Sequence, residues 1–364
     1  MSIRLSLLLG VVLTTISCGG GKGINTVPPP SQVATPTIAM RAAQNGAQIV
    51  SLSDATSGAT IYYTLDDTAP TANSTQYFAT PFLIASNVTL KAMATRTGES
   101  DSGVLTQNVA AGVASGTLVW SDEFSNLTGA SAQPDPSIWT YDTGNSGFGN
   151  NELETYCAWA STASPCETND PNAYVGSDGY LHVVALHPSN ATYTSARLKS
   201  QGLFSFSYGR IEARIQLPEG QGLWPAFWLL GNNISTVNWP ACGEQDVMEH
   251  INAQTPDWIA GSIHGTNLNG SQTQYASSGQ SFGTWHIYGM IWSKGMVSYY
   301  LDSPSNVYAT FTPANTPGTW PFDSGAGAFI ILNLAVGGNW PGPPDASTPL
   351  PAEMLVDYVR LYTN

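Results

Sequence analysis

Glu244, Asp246 and Glu249 fall within one segment, Trp239-Pro-Ala-Cys-Gly-Glu-Gln-Asp-Val-Met-Glu-His250. A regular strand alternates its side chains between two faces, so Glu244 and Asp246 share a face and a third member is expected at Met248. The third carboxylate stands one place further on. A β-bulge that absorbs the extra residue at Val247-Met248 restores the face, and bulges often re-aim side chains beside active sites. Acids this close repel one another unless a metal, a proton or a reaction resolves the conflict. Retaining glycoside hydrolysis calls for such a set: one carboxylate attacks the anomeric carbon, and a second, with its pKa raised, protonates the leaving oxygen. Asp246, between them, orients Glu244. A solvated acidic strand edge and a calcium site use the same residue types and stand beside this reading. Trp224, Phe227, Trp228 and Trp239 crowd the approach to the acids, and flat rings on which pyranose faces stack favour a sugar cleft.

The elements that must position these residues are strands. Only 10% of residues are charged, while 36 Gly, 24 Pro, 11 Trp, 16 Tyr and 11 Phe suit short strands joined by turns, so an all-β chain is expected. A formal charge of -14 repels phosphate backbones, which excludes nucleic acid as a partner and favours a neutral polymer. Residues 33–109 alternate like a small β-sandwich, with strand-like runs at 59–65 and 88–94 separated by turn-rich stretches. A linker at 110–116 leads into a region, 117–364, without helical periodicity; the runs 209–217, 328–335 and 354–362 read as strands of one two-sheet sandwich. Tyr62, Tyr63 and Tyr77 of the smaller sandwich either stack on sugar or fill its core.

The first residues carry a basic start, an apolar run at 5–16 and a break at Ser17-Cys18, so residues 1–18 read as an export signal too short to span a bilayer. Cys18 follows Thr15-Ile16-Ser17 as in a lipoprotein cleavage box, and lipidation there makes 19–32 a tether to the cell surface, the chain's one membrane attachment. Export implies an oxidising compartment in which Cys157 and Cys166 can pair, leaving Cys242 as a small buried filler. Zinc is poorly supported, because no Cys-x-x-Cys or paired-His spacing accompanies these thiols.

The stretches GEQDVMEH (243–250), LVWSDEF (118–124), GFGNNELETY (147–156), GRIEARIQLPEGQGLWPAFWLLG (209–231), LNLAVGGNWPG (332–342) and VDYVRLY (356–362) together resemble glycoside hydrolase family 16. The bulged signature is similar to the laminarinase-like branch. The resemblance implies a β-jelly-roll with a concave cleft and a monomeric endo-β-1,3-glucanase, with Glu244 as nucleophile, Asp246 assisting and Glu249 as general acid/base. It implies cleft roles for Trp224 and Trp228, sugar contacts for Asn151 and Arg197, and a place for His264 near the acid/base. No cofactor is implied for catalysis; a structural calcium at Glu123 and Asp357 is. Gln245 departs from the pattern and, by alternation, faces away from the cleft. Mixed-linkage glucan, a galactan, and glucan binding without catalysis are the alternatives. The stretches 57–77 and 88–98 resemble the immunoglobulin-like domain at the C-terminus of chitobiases and hexosaminidases.

Overall fold

The computed structural model describes residues 30–125, 130–188, 192–252, 257–268, 272–276, 279 and 281–364. Cys18 and the signal and tether readings lie outside the described residues, apart from the last few tether positions.

The larger part of the chain forms two packed sheets. One has seven strands in the order Gln272–Ala276, Ile259–His264, Glu244–Glu249, Leu223–Gly231, Ala328–Val336, Arg197–Lys199 and Thr140–Asp142. The other runs Ala173–Val175, Leu181–Ala185, Ala352–Tyr362, Gly209–Gln216, Trp285–Ser293, Met296–Leu301 and Val307–Phe311, with Leu118–Asp122 also pairing to Ala352–Tyr362. The expected all-β sandwich is therefore the architecture. Alternation explains the layering. In Leu223–Gly231, Leu223, Phe227 and Leu229 enter the core between the sheets, while Trp224, Ala226, Trp228 and Leu230 point to the opposite face. Ile330, Leu332, Leu334 and Val336 do the same for the neighbouring strand. Phe227, expected beside the acids, is consequently a core residue with no exposed surface.

The smaller part pairs a three-stranded sheet (Thr37–Ala42, Gln48–Ser53, Phe82–Ile84) with a four-stranded one (Thr75–Gln76, Thr60–Thr64, Val88–Thr95, Leu105–Val109). Tyr63 and Tyr77 pack on Phe82, with ring centroids at 4.9 and 6.2 Å, so these two rings serve its interior. The module is docked closely against the sandwich. Ala47 and Ile49 belong to the large core, Ser205 N–H donates to Pro81 O at 2.8 Å, and Asn45 Nδ2 donates to Leu118 O at 2.8 Å. Cys157 and Cys166 form the disulfide, and Cys242 is a buried free thiol.

Phe227 supports the cleft strand from behind and has no exposed surface. Phe227→Ala should cost about 3–5 kcal/mol, read as a lowered urea midpoint of unfolding.

Candidate active site

The strand Glu244–Glu249 lies third from one edge of the seven-stranded sheet. Gly243 leads into it at φ +85°, and a Cβ there would meet Pro321 Cγ at 2.9 Å, so this entry needs glycine. Asp246 stands opposite Trp228, but Met248 stands opposite Phe227, so Val247 is an extra residue on its strand. On the other side the ladder likewise skips between Asp246 and Glu249. This is the bulge expected from the spacing. Val247 and Met248 both turn into the core at 1% and 0% exposure, and Glu249 returns to the face of Glu244 and Asp246. Gln245, facing away from that side, is buried at 2% exposure.

That face floors a cleft of about 630 Å³. Its floor and walls include Trp224, Trp228, Trp239 and Trp340 together with Arg197, Ser262 and His264. Trp239 Nε1 donates to Glu244 Oε2 at 3.1 Å, and Trp224 Nε1 donates to Glu249 Oε1 at 3.1 Å. His264 Nε2 lies 3.0 Å from Asp246 Oδ2 and 3.5 Å from Glu244 Oε1. Burial alone would lower the imidazole, but the hydrogen bond to Asp246 and the charges of Asp246, Glu244 and Glu249 outweigh it and push it up to about 10. The cluster therefore contains its own cation at neutral pH.

Burial and the neighbouring Asp246 push Glu244 up to about 8, against the pull of His264, Arg197 and the Trp239 indole. Glu249 is driven further, well above the ordinary carboxyl range, by burial, Asp246 and Glu244, with His264 and Trp224 opposing. Both carboxyls are thus held above the ordinary range, by burial first and then by their acidic neighbours.

On the far wall Arg197 Nε bonds Asp142 Oδ2 at 3.0 Å, and its guanidinium lies 4.7 Å over Trp228 and 5.0 Å over Phe148. Trp228 Nε1 donates to Asn333 Oδ1 at 2.8 Å, Asn333 Nδ2 to Tyr156 OH at 3.2 Å, and that hydroxyl to Glu152 Oε2 at 2.9 Å. One face of Trp228 and its N–H edge are thus held in place before any ligand arrives.

Of the residues expected in a cleft, Glu244, Asp246, Glu249, Trp224, Trp228, Arg197 and His264 come together there. Asn151 does not. It is exposed at φ +56°, its amide donates to Asn339 Oδ1 at 2.8 Å, and its neighbours Asn150 and Glu152 face the cleft in its place. Left-handed backbone at Phe148 and Asn151 breaks the alternation that a sequence reading assumes. Trp340, Asn333 and Ser262 also line the cleft without having been singled out. Asn333 carried a visible signal, a lone amide inside the apolar run Ile330-Ile-Leu-Asn-Leu-Ala335, and Ser262 stands two residues before His264 on the same strand face.

Residues 160–360 match the family model described as Glycosyl hydrolases family 16. The chain belongs to this family. Residues 50–109 match a second model, Fn3 associated. Within family 16, the Beta-glucanase of Rhodothermus marinus is 37% identical over 267 residues, covering 67% of this chain and 84% of the relative. The Clotting factor G alpha subunit of Tachypleus tridentatus is 36% identical over 250 residues, covering 67% of this chain, which spans only 34% of that protein. The laminarinase catalytic domain of Thermotoga maritima superposes with a TM-score of 0.59 at 36% identity, covering 69% of this chain and 99% of that one.

The calcium expected at Glu123 and Asp357 does not fit the residues found there. Arg360 holds Glu123 through Nε at 2.9 Å and Nη2 at 2.7 Å, and Arg214 Nη1 bonds Asp357 at 2.7 Å. Each carboxylate is satisfied by a guanidinium whose charge would repel a cation. Among the described residues, the donors close enough to share a metal are Glu244, Asp246 and His264, within 4.8 Å of one another.

His264→Gln removes the cation that restrains Glu244. The carboxyl pKa then rises, and the acidic limb of the kcat/KM profile should move to higher pH by about one unit; an unmoved limb would separate His264 from the acid pair.

Proposed function

We propose that the protein is a retaining endo-glycosidase that cuts β-1,3-linked glucan of the laminarin type. The observation that carries this reading is the bulged strand, which brings Glu244 and Glu249 to one cleft face. Glu249 gives its proton to the glycosidic oxygen as that oxygen leaves the anomeric carbon. Glu244 attacks the same carbon and forms the glycosyl-enzyme bond. Glu249, now a carboxylate, takes a proton from water as the water oxygen displaces Glu244. Asp246 bonds His264 and thereby keeps a positive charge 3.5 Å from Glu244. The neutral polymer is supported by the acidic chain and the tryptophan-lined cleft, and the β-1,3 linkage by the bulged signature and the relatives' names.

Export rests on sequence alone. We read residues 1–18 as a signal whose Cys18 is lipidated, holding the monomeric enzyme at the cell surface.

Incubation with laminarin, lichenan, agarose and carrageenan, read by chromatography of the oligosaccharides, should show laminarin as the best substrate. Intact laminarin beside a cut galactan would overturn the linkage. Glu244→Gln should lower turnover by about a thousandfold or more with the unfolding midpoint kept. Cys18→Ala should move the protein from the membrane fraction to the soluble one; an unchanged distribution would remove the anchor.

A further inference from the structure

Two more carboxyl groups stand at the far wall, outside the acid pair. Glu154 is wholly buried on the short strand Glu154–Tyr156, which pairs with Tyr193–Ser195. Its Oε2 accepts the Val336 backbone N–H at 2.7 Å, while its Oε1 has no hydrogen-bond partner. The group within hydrogen-bonding reach of Glu154 is a second acid, Glu152. Glu152 is 9% exposed and lines the cleft, where it already accepts from Tyr156 OH at 2.9 Å and from Asn150 Nδ2 at 3.3 Å. Two buried carboxylates cannot face each other at this range without a proton between them. A buried oxygen lacking a partner, on a carboxyl beside an acid whose own oxygens are held from two other sides, marks where that proton sits.

We propose that Glu154 is kept as a neutral acid whose Oε1–H donates to Glu152, and that this fixes Glu152 as an acceptor for a sugar hydroxyl on the Arg197 side of the cleft. Glu154 is thus a positioning residue. The sugar contact rests on the glucan reading given above.

The surroundings agree. Burial first, then the charge and hydrogen bond of Glu152, push Glu154 up to about 8, against the Val336 N–H. The titratable and charged groups around it are Glu152 and Tyr156 on its own segment, Tyr193 across the ladder, and Arg197, which is paired with Asp142. The strand Ala328–Val336 adds only the uncharged Asn333. Burial and both glutamates hold the Tyr156 phenol far above its usual range, so it remains a donor. Loss of the Glu154 proton would set two anions against each other at the end of the chain Glu152, Tyr156, Asn333, Trp228.

The test measures binding of laminarihexaose by calorimetry to E244Q and to E244Q/E154Q, from about pH 6 to about pH 9.5. An amide at position 154 donates the same hydrogen bond and cannot ionise. For E244Q the dissociation constant should rise about tenfold as pH passes 8, while E244Q/E154Q stays tight. Parallel pH profiles, or a weakened E244Q/E154Q at neutral pH, overturn the proposal. If neither chain binds the sugar at any pH, the glucan reading and with it the sugar contact fail, and the shared proton is then read without ligand. An acid raised in the folded state gives stability that is complete below its unfolded pKa of about 4.5 and is lost as pH climbs through the folded value of about 8. The unfolding midpoint of the wild-type chain should therefore fall relative to E154Q across that window and run parallel above it. Parallel curves throughout overturn the shared proton.

Discussion

Three carboxyl groups and one imidazole share the floor of the cleft, and the need to keep that floor near neutral governs what surrounds it. Asp246 is 3% exposed and accepts from His264, whose positive charge then reaches Glu244 at 3.5 Å. Burial acts on both glutamates alike, so it cannot by itself tell an acid from a nucleophile. The difference comes from nearby donors. Glu244 has the Trp239 indole, His264 and Arg197 pulling its charged form into existence. Glu249 has His264, the Trp224 indole and a longer contact to Ser262 at 3.5 Å, lacks the pull of Arg197, and carries the repulsion of both other acids. One environment thus pushes two like residues toward opposite roles.

That electrostatic arrangement depends on how the strand takes up one inserted residue. Were Val247 taken up without a bulge, regular alternation would turn Met248 to the cleft and Glu249 to the core, where an unpaired carboxylate is untenable. The insertion is tolerated because both Val247 and Met248 are apolar and meet the core that Phe227, Leu229 and Ile263 already form. Position and packing are therefore one solution: the side chains that close the sandwich interior set the parity that lifts the acids. The strands on either side continue the pattern, with Trp224 and Trp228 on one and Ser262 and His264 on the other all facing the same way.

Where regular alternation holds, the sequence was sufficient to read the site. The off-phase spacing at Val247-Met248 told of the bulge, and strand composition told of the sandwich. The same rule, applied to Trp224-Pro-Ala-Phe-Trp228, would have sent Phe227 inward, since it is out of step with both tryptophans. Asn151 was not readable in this way, because the turn from Phe148 to Asn151 takes positive φ three times, at Phe148, Gly149 and Asn151, and brings Asn150 and Glu152 to the cleft. Glu123 and Asp357 failed for a different reason. Their arginine partners, Arg360 and Arg214, are 237 and 143 residues away and meet them only once the sheet is assembled, so the local sequence shows two free acids.

Docking of the smaller module bears on the cleft as well. The strand Arg197–Lys199 ends at Ser200, and the turn that follows is held from outside: Gly202 N–H donates to Thr80 Oγ1 at 3.1 Å, and Leu83 N–H donates to Ser205 O at 3.0 Å. Ser200 Oγ in turn accepts from the Ile330 N–H at 2.9 Å on the strand that carries Asn333. The module therefore braces the backbone directly behind Arg197 and, through it, the wall formed with Trp228. Its tyrosines Tyr63 and Tyr77 are engaged with Phe82, and Phe82 bridges to Ser205. Two of the three tyrosines that looked available for sugar stacking, Tyr63 and Tyr77, are spent on building the brace, and the module lends rigidity to one end of the cleft.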